Sequence, residues 1–180
     1  KVKPQISLNK TICIKDNGIK KKIDKLSKKN KRIFNISFPE KIDLKNMKVN
    51  SFPDFGLYQF INEDISLSIV CKKNYNYFNS SHIHDDNLGI DLVVNKMPII
   101  TDPGSFCYSR DLKTRSLYKG YKSHFVPRTS DMIDLKNEGE TFFYTTHFLK
   151  AYCEFLDNKS FLGKIVHKNT ILYRCLFLKE

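Results

Sequence analysis

The 180-residue chain is 41% hydrophobic and contains nine tyrosines and fourteen phenylalanines, which excludes a disordered chain and allows one domain with a sizeable core. No apolar run reaches the length of about eighteen residues that a spanning helix needs, so we expect no membrane span. The net charge of +12 is uneven: residues 1–50 hold 15 Lys/Arg against 4 Asp/Glu, and residues 51–180 hold 16 against 15.

Residues 1–50 are predicted to be a basic connector with marginal structure. Residues 10–15 alternate as a strand does, and residues 32–39 are typical of an edge strand that ends at a proline. Such an arm can attract nucleic acid, anionic lipid or an acidic polysaccharide, although Lys- and Asn-rich connectors are more often simply solvated. The chain opens without an initiator methionine or signal-peptide pattern, so we expect a fragment or a processed form.

The cysteines show no paired Cys-x-x-Cys spacing, which disfavours a thiolate zinc site. Their number is odd, and they lie among apolar or strand-forming neighbours, as reduced and partly buried thiols do. Reduced cysteines of this kind favour a cytoplasmic location over an oxidising compartment. The five are Cys13, Cys71, Cys107, Cys153 and Cys175.

Residues 51–180 have the pattern of many short strands. Residues 57–61 and 65–71 form a hairpin signal, and residues 88–94 and 97–101 form another across Asn95-Lys96. Pro98 cannot donate a ladder hydrogen bond, so this strand should carry a bulge or lie at a free edge. Further strands are predicted over residues 141–149, 151–156, 165–166 and 170–178.

The predicted fold class is therefore all-β, an antiparallel β-sandwich over residues 51–180. No long segment has a period of about 3.6 residues, so no helix is predicted with it. The chain stops inside a strand pattern at residues 178–180, and we expect the native domain to continue past its C-terminus.

Four side chains carry the candidate chemistry. His82 and His84 are two residues apart, so on an extended chain they point to the same side. They could share a metal, or one could bind metal while the other transfers protons; the alternative is a loop of solvated polar residues. Asp102 begins an Asp-Pro-Gly turn, where a carboxylate often only bonds the backbone, and His124 follows a basic stretch.

These residues lie in a series of motifs whose order and spacing resemble the C-terminal domain of heparinase II/III-type polysaccharide lyases. The resemblance covers roughly residues 51–128. Its motifs are Ser51-Phe-Pro-Asp-Phe-Gly56, His82-x-His84-x-Asp86-x-Leu88 with the strand after it, Asp102-Pro-Gly104-Ser-Phe-Cys-Tyr108, and His124.

The resemblance implies a large antiparallel β-sandwich that follows an (α/α) toroid of helices, a domain that this sequence lacks. It also implies that His84, Asp102 and His124 hold a divalent metal, usually zinc, and that His82 faces the substrate as a catalytic residue. Asp86 could orient a ligand imidazole. The chain departs from the family around the third histidine, with Lys119-Gly120-Tyr121 before it and Phe125 after it.

The implied reaction is β-elimination at a uronic acid within an acidic polysaccharide such as a glycosaminoglycan or alginate. In the family, a Tyr and an Asn or His for this work come from the toroid, so the 180-residue chain alone is expected to be inactive. The implied location is periplasmic or at the cell surface.

Two other functions stay open at this point. The fold could serve a non-catalytic module that binds a glycan or takes part in surface-polysaccharide biosynthesis. A nucleic-acid binder that uses the basic arm is disfavoured, because residues 51–180 are close to neutral and carry no recognised binding motif.

Overall fold

A computed structural model of the chain describes residues 5–8, 34–37, 42–73, 83–108, 110–128, 150–167 and 170–179. The chain divides into two compact units, residues 45–178 and residues 1–44 with 179–180. In the smaller unit, β1 (Gln5–Leu8) pairs antiparallel with β2 (Phe34–Ser37). β2 lies inside the predicted edge strand, whereas the strand predicted over residues 10–15 lies outside the described residues.

The first sheet of the larger unit is a five-stranded antiparallel meander in which each strand pairs with its neighbours in sequence. The predicted hairpins of residues 57–71 and 88–101 form its last four strands. The strands are β3 (Lys48–Phe52), β4 (Leu57–Ile61), β5 (Ile65–Val70), β6 (Ile90–Val94) and β7 (Met97–Ile100).

Alternation of side chains determines which face of this sheet is covered. Ile65, Leu67 and Ile69 of β5 are buried, whereas Ser66 and Ser68 between them are only half-buried. Because successive side chains of a strand point to opposite faces, this sequence places one apolar face toward the core.

The edge position expected for the proline-containing strand is confirmed. β7 is the last strand of the sheet, and Pro98 pairs with Val93 where the register shifts between Leu92 and Val93. A residue without an N–H is tolerated there because the outer side of an edge strand has no ladder partner.

The second sheet has three antiparallel strands in the order β8, β9, β10. They are β8 (Lys150–Leu156), β9 (Ser160–His167) and β10 (Thr170–Phe177). The strand predicted over residues 141–149 lies outside the described residues.

The two sheets pack against each other as the predicted β-sandwich. The rings of Tyr58 and Phe161 lie 5.4 Å apart between β4 and β9. The Ala151 N–H of β8 donates to the Lys72 carbonyl just past β5, at 3.1 Å. The all-β prediction is therefore confirmed for the larger unit.

One helix was missed by the sequence prediction. α1 (Leu112–Lys119) begins after Asp111, whose carboxylate accepts from the Thr114 N–H at 3.0 Å as an N-cap. Its buried positions are Arg115 and Lys119, one turn apart. Because the covered face carries charged side chains, the sequence shows no apolar helical period. Within the described residues, no helix is long and apolar enough to cross a membrane.

The described cysteines agree with the prediction of reduced, partly buried thiols. Cys71 is buried, Cys107, Cys153 and Cys175 are partly buried, and all four carry free thiols. Burial raises the pKa of Cys71 and of Cys175 to about 12, so these thiols stay protonated near neutral pH.

Close packing at Gly163 leads to a stability prediction. A Cβ atom at this position would lie 2.3 Å from Leu88 Cδ2 and 2.7 Å from Phe161 Cε1. Gly163→Ala is therefore expected to lower the free energy of unfolding by about 1–3 kcal/mol, measured by urea denaturation.

Leu88→Ala provides the control, because it removes the atom that the new methyl group would meet. Gly163→Ala should cost less in the Leu88→Ala background, with a coupling of about 0.5 kcal/mol or more. Equal effects in both backgrounds would contradict the contact between the sheets.

Candidate functional site

The loop that carries His84 is bonded to the end of α1 and to Lys72, which lies just past β5. The Asp85 N–H donates to the Lys119 carbonyl at the end of α1, at 2.9 Å. Asp86 forms an ion pair with Lys72 at 3.2 Å, and the Asn87 side chain accepts from the Lys72 N–H at 2.7 Å. The loop is therefore fixed before it reaches β6, and His84 lies in the connection between β5 and β6.

Leu88 completes this loop in an unusual conformation. Its φ of 59° lies in the left-handed region, which non-glycine residues adopt rarely. The side chain is fully buried, and its N–H donates to the Val70 carbonyl at 2.7 Å. The predicted strand therefore begins at Ile90 rather than at Leu88, since the chain turns first.

Asp102 follows β7 in a tight turn. Its Oδ1 accepts from the Gly104 N–H at 2.9 Å, and Gly104 has a φ of 64° that glycine tolerates. The backbone-bonding role expected of an Asp-Pro-Gly turn is thus present. It leaves Oδ2 available, so the turn presents the carboxylate as well as stabilising itself.

His124 lies just past α1, and its buried ring meets Asp102. Its Nδ1 lies 2.6 Å from Asp102 Oδ2, a short hydrogen bond of the charge-assisted kind. The departures from the family at Lys119-Gly120-Tyr121 and Phe125 therefore leave His124 in contact with the carboxylate.

The three predicted ligand residues come together. One candidate ligand atom from each of His84, Asp102 and His124 lies within 4.8 Å of the others. The two imidazole rings are 5.2 Å apart, centroid to centroid. We call these three residues the His-Asp-His cluster.

The pKa values of the two imidazoles in the cluster shift in opposite directions. Burial lowers the pKa of His84, and a positive charge on the nearby His124 ring lowers it further. Burial acts most strongly against a charge on His124, but the hydrogen bond to Asp102 and the negative charges of Asp102, Asp86 and Asp85 together outweigh it and raise the pKa of His124. Partial burial acts to raise the pKa of Asp102, and the hydrogen bonds from His124 and Gly104 hold it below its ordinary value.

The cluster fits a divalent metal by two observations. Two nitrogens and one carboxylate are a ligand set that zinc accepts, leaving one coordination position open. Among the described residues, the buried Nε2 of His124 has no hydrogen-bond partner. Ligand atoms on one tetrahedral zinc lie about 3.3 Å apart, so a cluster within 4.8 Å could close on one ion through small side-chain movements.

The expected roles of His82 and Asp86 have different outcomes. His82 lies outside the described residues, so its catalytic role stays a prediction. For Asp86, the carboxylate pairs with Lys72, and the carboxylate that bonds an imidazole is Asp102.

Three residues near the cluster were missed from the sequence. Ser105 Oγ lies 3.1 Å from His84 Nε2, and its place directly after the Asp-Pro-Gly turn was the available signal. Lys119 is buried beside Asp85, and burial lowers its pKa to about 8, whereas burial raises the pKa of Asp85 to about 6. Arg115 is 1% exposed, and only the helix, itself unpredicted, brings it inward.

Comparison with known proteins gives one match. The family model described as "Heparinase II/III-like, C-terminal" matches residues 45–125. That segment holds the first sheet, α1 and the whole His-Asp-His cluster. Curated proteins and solved structures gave no match. Residues 45–125 are therefore similar to the heparinase II/III-like C-terminal family, the resemblance that the sequence motifs predicted.

Proposed function

We propose that this chain is the sandwich domain of a polysaccharide lyase that cleaves a uronic-acid-containing acidic polysaccharide by β-elimination. The observation that carries the proposal is the convergence of His84, Asp102 and His124 from separate segments, inside a region that matches the lyase family. In the proposal, these residues hold a divalent metal ion, zinc by preference.

The reaction itself sets the requirements of the site. A base removes the proton on the carbon next to the uronate carboxylate, and the electron pair forms a double bond as the oxygen of the 4-linked sugar leaves with a proton. Negative charge builds on the carboxylate during this step, so neutralising groups must face it. Proton removal and leaving-group protonation need positioned groups with suitable pKa values.

His82 is the proposed contribution of this chain to proton transfer. It precedes His84 by two residues in the sequence. The remaining acid–base groups, a Tyr and an Asn or His, are proposed to come from an (α/α) toroid domain across a shared cleft.

The metal has a positioning role in this proposal. Bound there, it would supply a fixed positive charge that joins three loops. In the metal-free chain, the hydrogen bond between Asp102 and His124 brings two of the segments together, and coordination of both side chains to one ion would take its place. Ser105, in contact with His84 Nε2, helps to fix the orientation of the third.

The metal site leads to a binding prediction. The 180-residue chain is expected to bind about one zinc ion, and His84→Ala or His124→Ala should weaken binding by about a hundredfold or more. Elemental analysis and isothermal titration calorimetry measure this. At zinc concentrations of about 100 Kd, the wild type alone should gain about 2.7 kcal/mol of stability.

His82→Ala is the matched control, because this imidazole is assigned to the substrate and not to the metal. It should retain zinc as the wild type does. Equal zinc in the wild type and in His84→Ala would remove the site.

A second prediction concerns protons released on zinc binding. Ligand imidazoles must be neutral, and the pKa of His124 is raised whereas that of His84 is lowered. Zinc binding near pH 6.5 should therefore release up to about one proton, chiefly from His124, and fewer near pH 8. Calorimetry in buffers of different ionisation enthalpy measures the number.

The direction of the pH dependence is part of this test. Zinc affinity should fall as the pH drops through the raised pKa of His124, since protons then compete for the ring. Zinc binding without proton release near pH 6.5 would contradict the raised pKa assigned to His124.

The proposed activity is tested on the longest natural chain that contains these residues. We expect unsaturated uronate product from an acidic polysaccharide, and a loss in kcat of roughly 10²–10⁴-fold on His82→Ala with zinc retained. Met97→Ala, at an exposed position on β7, is the control with full activity.

The isolated 180-residue chain should give no product. Product from that chain alone would contradict the need for a second domain. Binding of the polymer without cleavage by the longest chain would favour the non-catalytic glycan module over the lyase.

A further inference from the structure

Arg174 on β10 connects the second sheet to the two segments that carry the imidazoles of the cluster. Its Nη1 donates to the Leu88 carbonyl and, at 2.6 Å, to the Phe125 carbonyl. Leu88 lies four residues after His84, and Phe125 directly follows His124. One guanidinium nitrogen therefore joins the backbones of the two segments.

Gly163 of β9 makes room for this connection. It is the register partner of Arg174 on the neighbouring strand, and directly paired residues place their side chains on the same face of a sheet. A Cβ atom at this position would clash with Leu88 Cδ2. Because glycine leaves that space open, the buried Leu88 side chain packs against β9 while its carbonyl accepts from Arg174.

The Leu88 carbonyl belongs to a backbone conformation that needs support. The φ of Leu88 is 59°, in the left-handed region that is unfavourable for a non-glycine residue. Its N–H donates to the Val70 carbonyl at 2.7 Å, and its carbonyl accepts from a charged donor. Hydrogen bonds from charged donors are among the stronger ones in proteins, so Arg174 offsets part of the cost of this turn.

Phe125, which departs from the family pattern, covers the guanidinium. Arg174 Cζ lies 5.3 Å from the centre of the Phe125 ring, within the range of a cation–π interaction. Burial lowers the pKa of Arg174 to about 10, which leaves the guanidinium charged near neutral pH. Phe125 therefore contributes both a ring over the cation and a carbonyl that accepts from it.

The two segments that Arg174 bonds are also close to each other. A Cβ atom on Gly89 would lie 3.5 Å from Val126 Cγ1. The Val126 N–H donates to the His124 carbonyl at 2.9 Å, which closes a tight turn directly after the imidazole. A bond that fixes the Leu88 and Phe125 carbonyls thus fixes the backbone next to each ring.

We propose that Arg174 is a positioning residue for the His-Asp-His cluster, which sets the separation of the two imidazoles by bonding the Leu88 and Phe125 carbonyls. The inference rests on the proposed function, since the metal site is part of that proposal. Arg174 contacts neither metal nor substrate in this role and acts through the two backbone segments. It lies outside residues 45–125, the segment that the family model matches.

Zinc affinity of the 180-residue chain, measured by isothermal titration calorimetry, tests the role. Arg174→Gln should weaken zinc binding by about tenfold, less than the loss of a ligand does, because the ligands remain and only their positions relax. Arg174→Lys should recover part of the affinity. One nitrogen serves both carbonyls here, and an ammonium group is a single nitrogen with three donors.

Substitutions of Phe125 test the cover over the guanidinium. Phe125→Leu keeps the carbonyl but removes the aromatic ring, and it should weaken zinc binding by about threefold, whereas Phe125→Tyr should bind as the wild type does. In the Arg174→Gln background, Phe125→Leu should have no further effect on zinc affinity, because the cation that the ring covers is gone.

Amide hydrogen exchange, measured without zinc, gives a second readout that needs no ligand. In Arg174→Gln, the N–H groups of Leu88 and Val126 should exchange faster by about tenfold, because the two segments open more often. Exchange in β4 and β5 should stay as it is in the wild type. Arg174→Lys should restore part of the protection.

Leu162→Val is the matched control for general loss of stability. Leu162 lies in β9 and is 2% exposed, so its truncation lowers the free energy of unfolding. Its side chain points away from the face on which Gly163 meets Leu88, since successive side chains of a strand alternate. Leu162→Val should therefore keep wild-type zinc affinity and wild-type exchange at Leu88 and Val126.

Three results would overturn the positioning role, and they are distinguishable. If Arg174→Gln binds zinc as tightly as the wild type, the role fails and the metal site stands. If Leu162→Val loses as much zinc affinity as Arg174→Gln, the effect is one of general stability and the role fails. If the wild type binds no zinc, the metal site and the role of Arg174 fail together.

Discussion

The hydrogen bond between His124 and Asp102 is the interaction on which the site depends. It joins the turn after β7 to the segment after α1, two parts of the chain 22 residues apart. The carboxylate keeps the buried imidazole in a defined orientation and raises its pKa. The bond thereby holds the His124 ring with its centroid 5.2 Å from that of the His84 ring.

The helix α1, which precedes His124, has charged rather than apolar side chains on its covered face. Arg115 and Lys119 occupy its covered face, where apolar side chains would pack with less electrostatic strain. Lys119 has its pKa lowered to about 8 and Asp85 has its pKa raised to about 6, chiefly because burial disfavours each charge. Because Asp85 adjoins His84, this strained pair couples the helix end to the loop that carries the first imidazole. The backbone bond from Asp85 to Lys119 joins the same two segments at 2.9 Å.

Sequence reasoning predicted most strands of the two sheets but missed β1, β3 and the first half of β9, and it predicted the site only through its motifs. Alternation at β5 and the proline of β7 were sufficient signals, because both reflect local backbone geometry. The spacing of apolar residues did not predict α1, because its inward positions are the charged Arg115 and Lys119. The left-handed Leu88 and the ordering of the two sheets depend on contacts across long sequence separations, such as Gly163 against Leu88. The spacing of apolar residues along the sequence does not indicate such contacts.

Charge is unevenly distributed along the chain outside the cluster as well. The first quarter of the sequence is basic, and within residues 51–180 the charges separate into a +5 segment, residues 110–128, and a −4 remainder. Screening limits the reach of exposed charges to about 8–10 Å at ordinary salt, so a surface acts on a ligand only where its charges are close together. Residues 110–128 hold six Lys/Arg against one Asp, and this segment includes His124 of the carboxylate–imidazole pair. A polyanion would therefore be attracted to this segment more than to the net-negative remainder of residues 51–180.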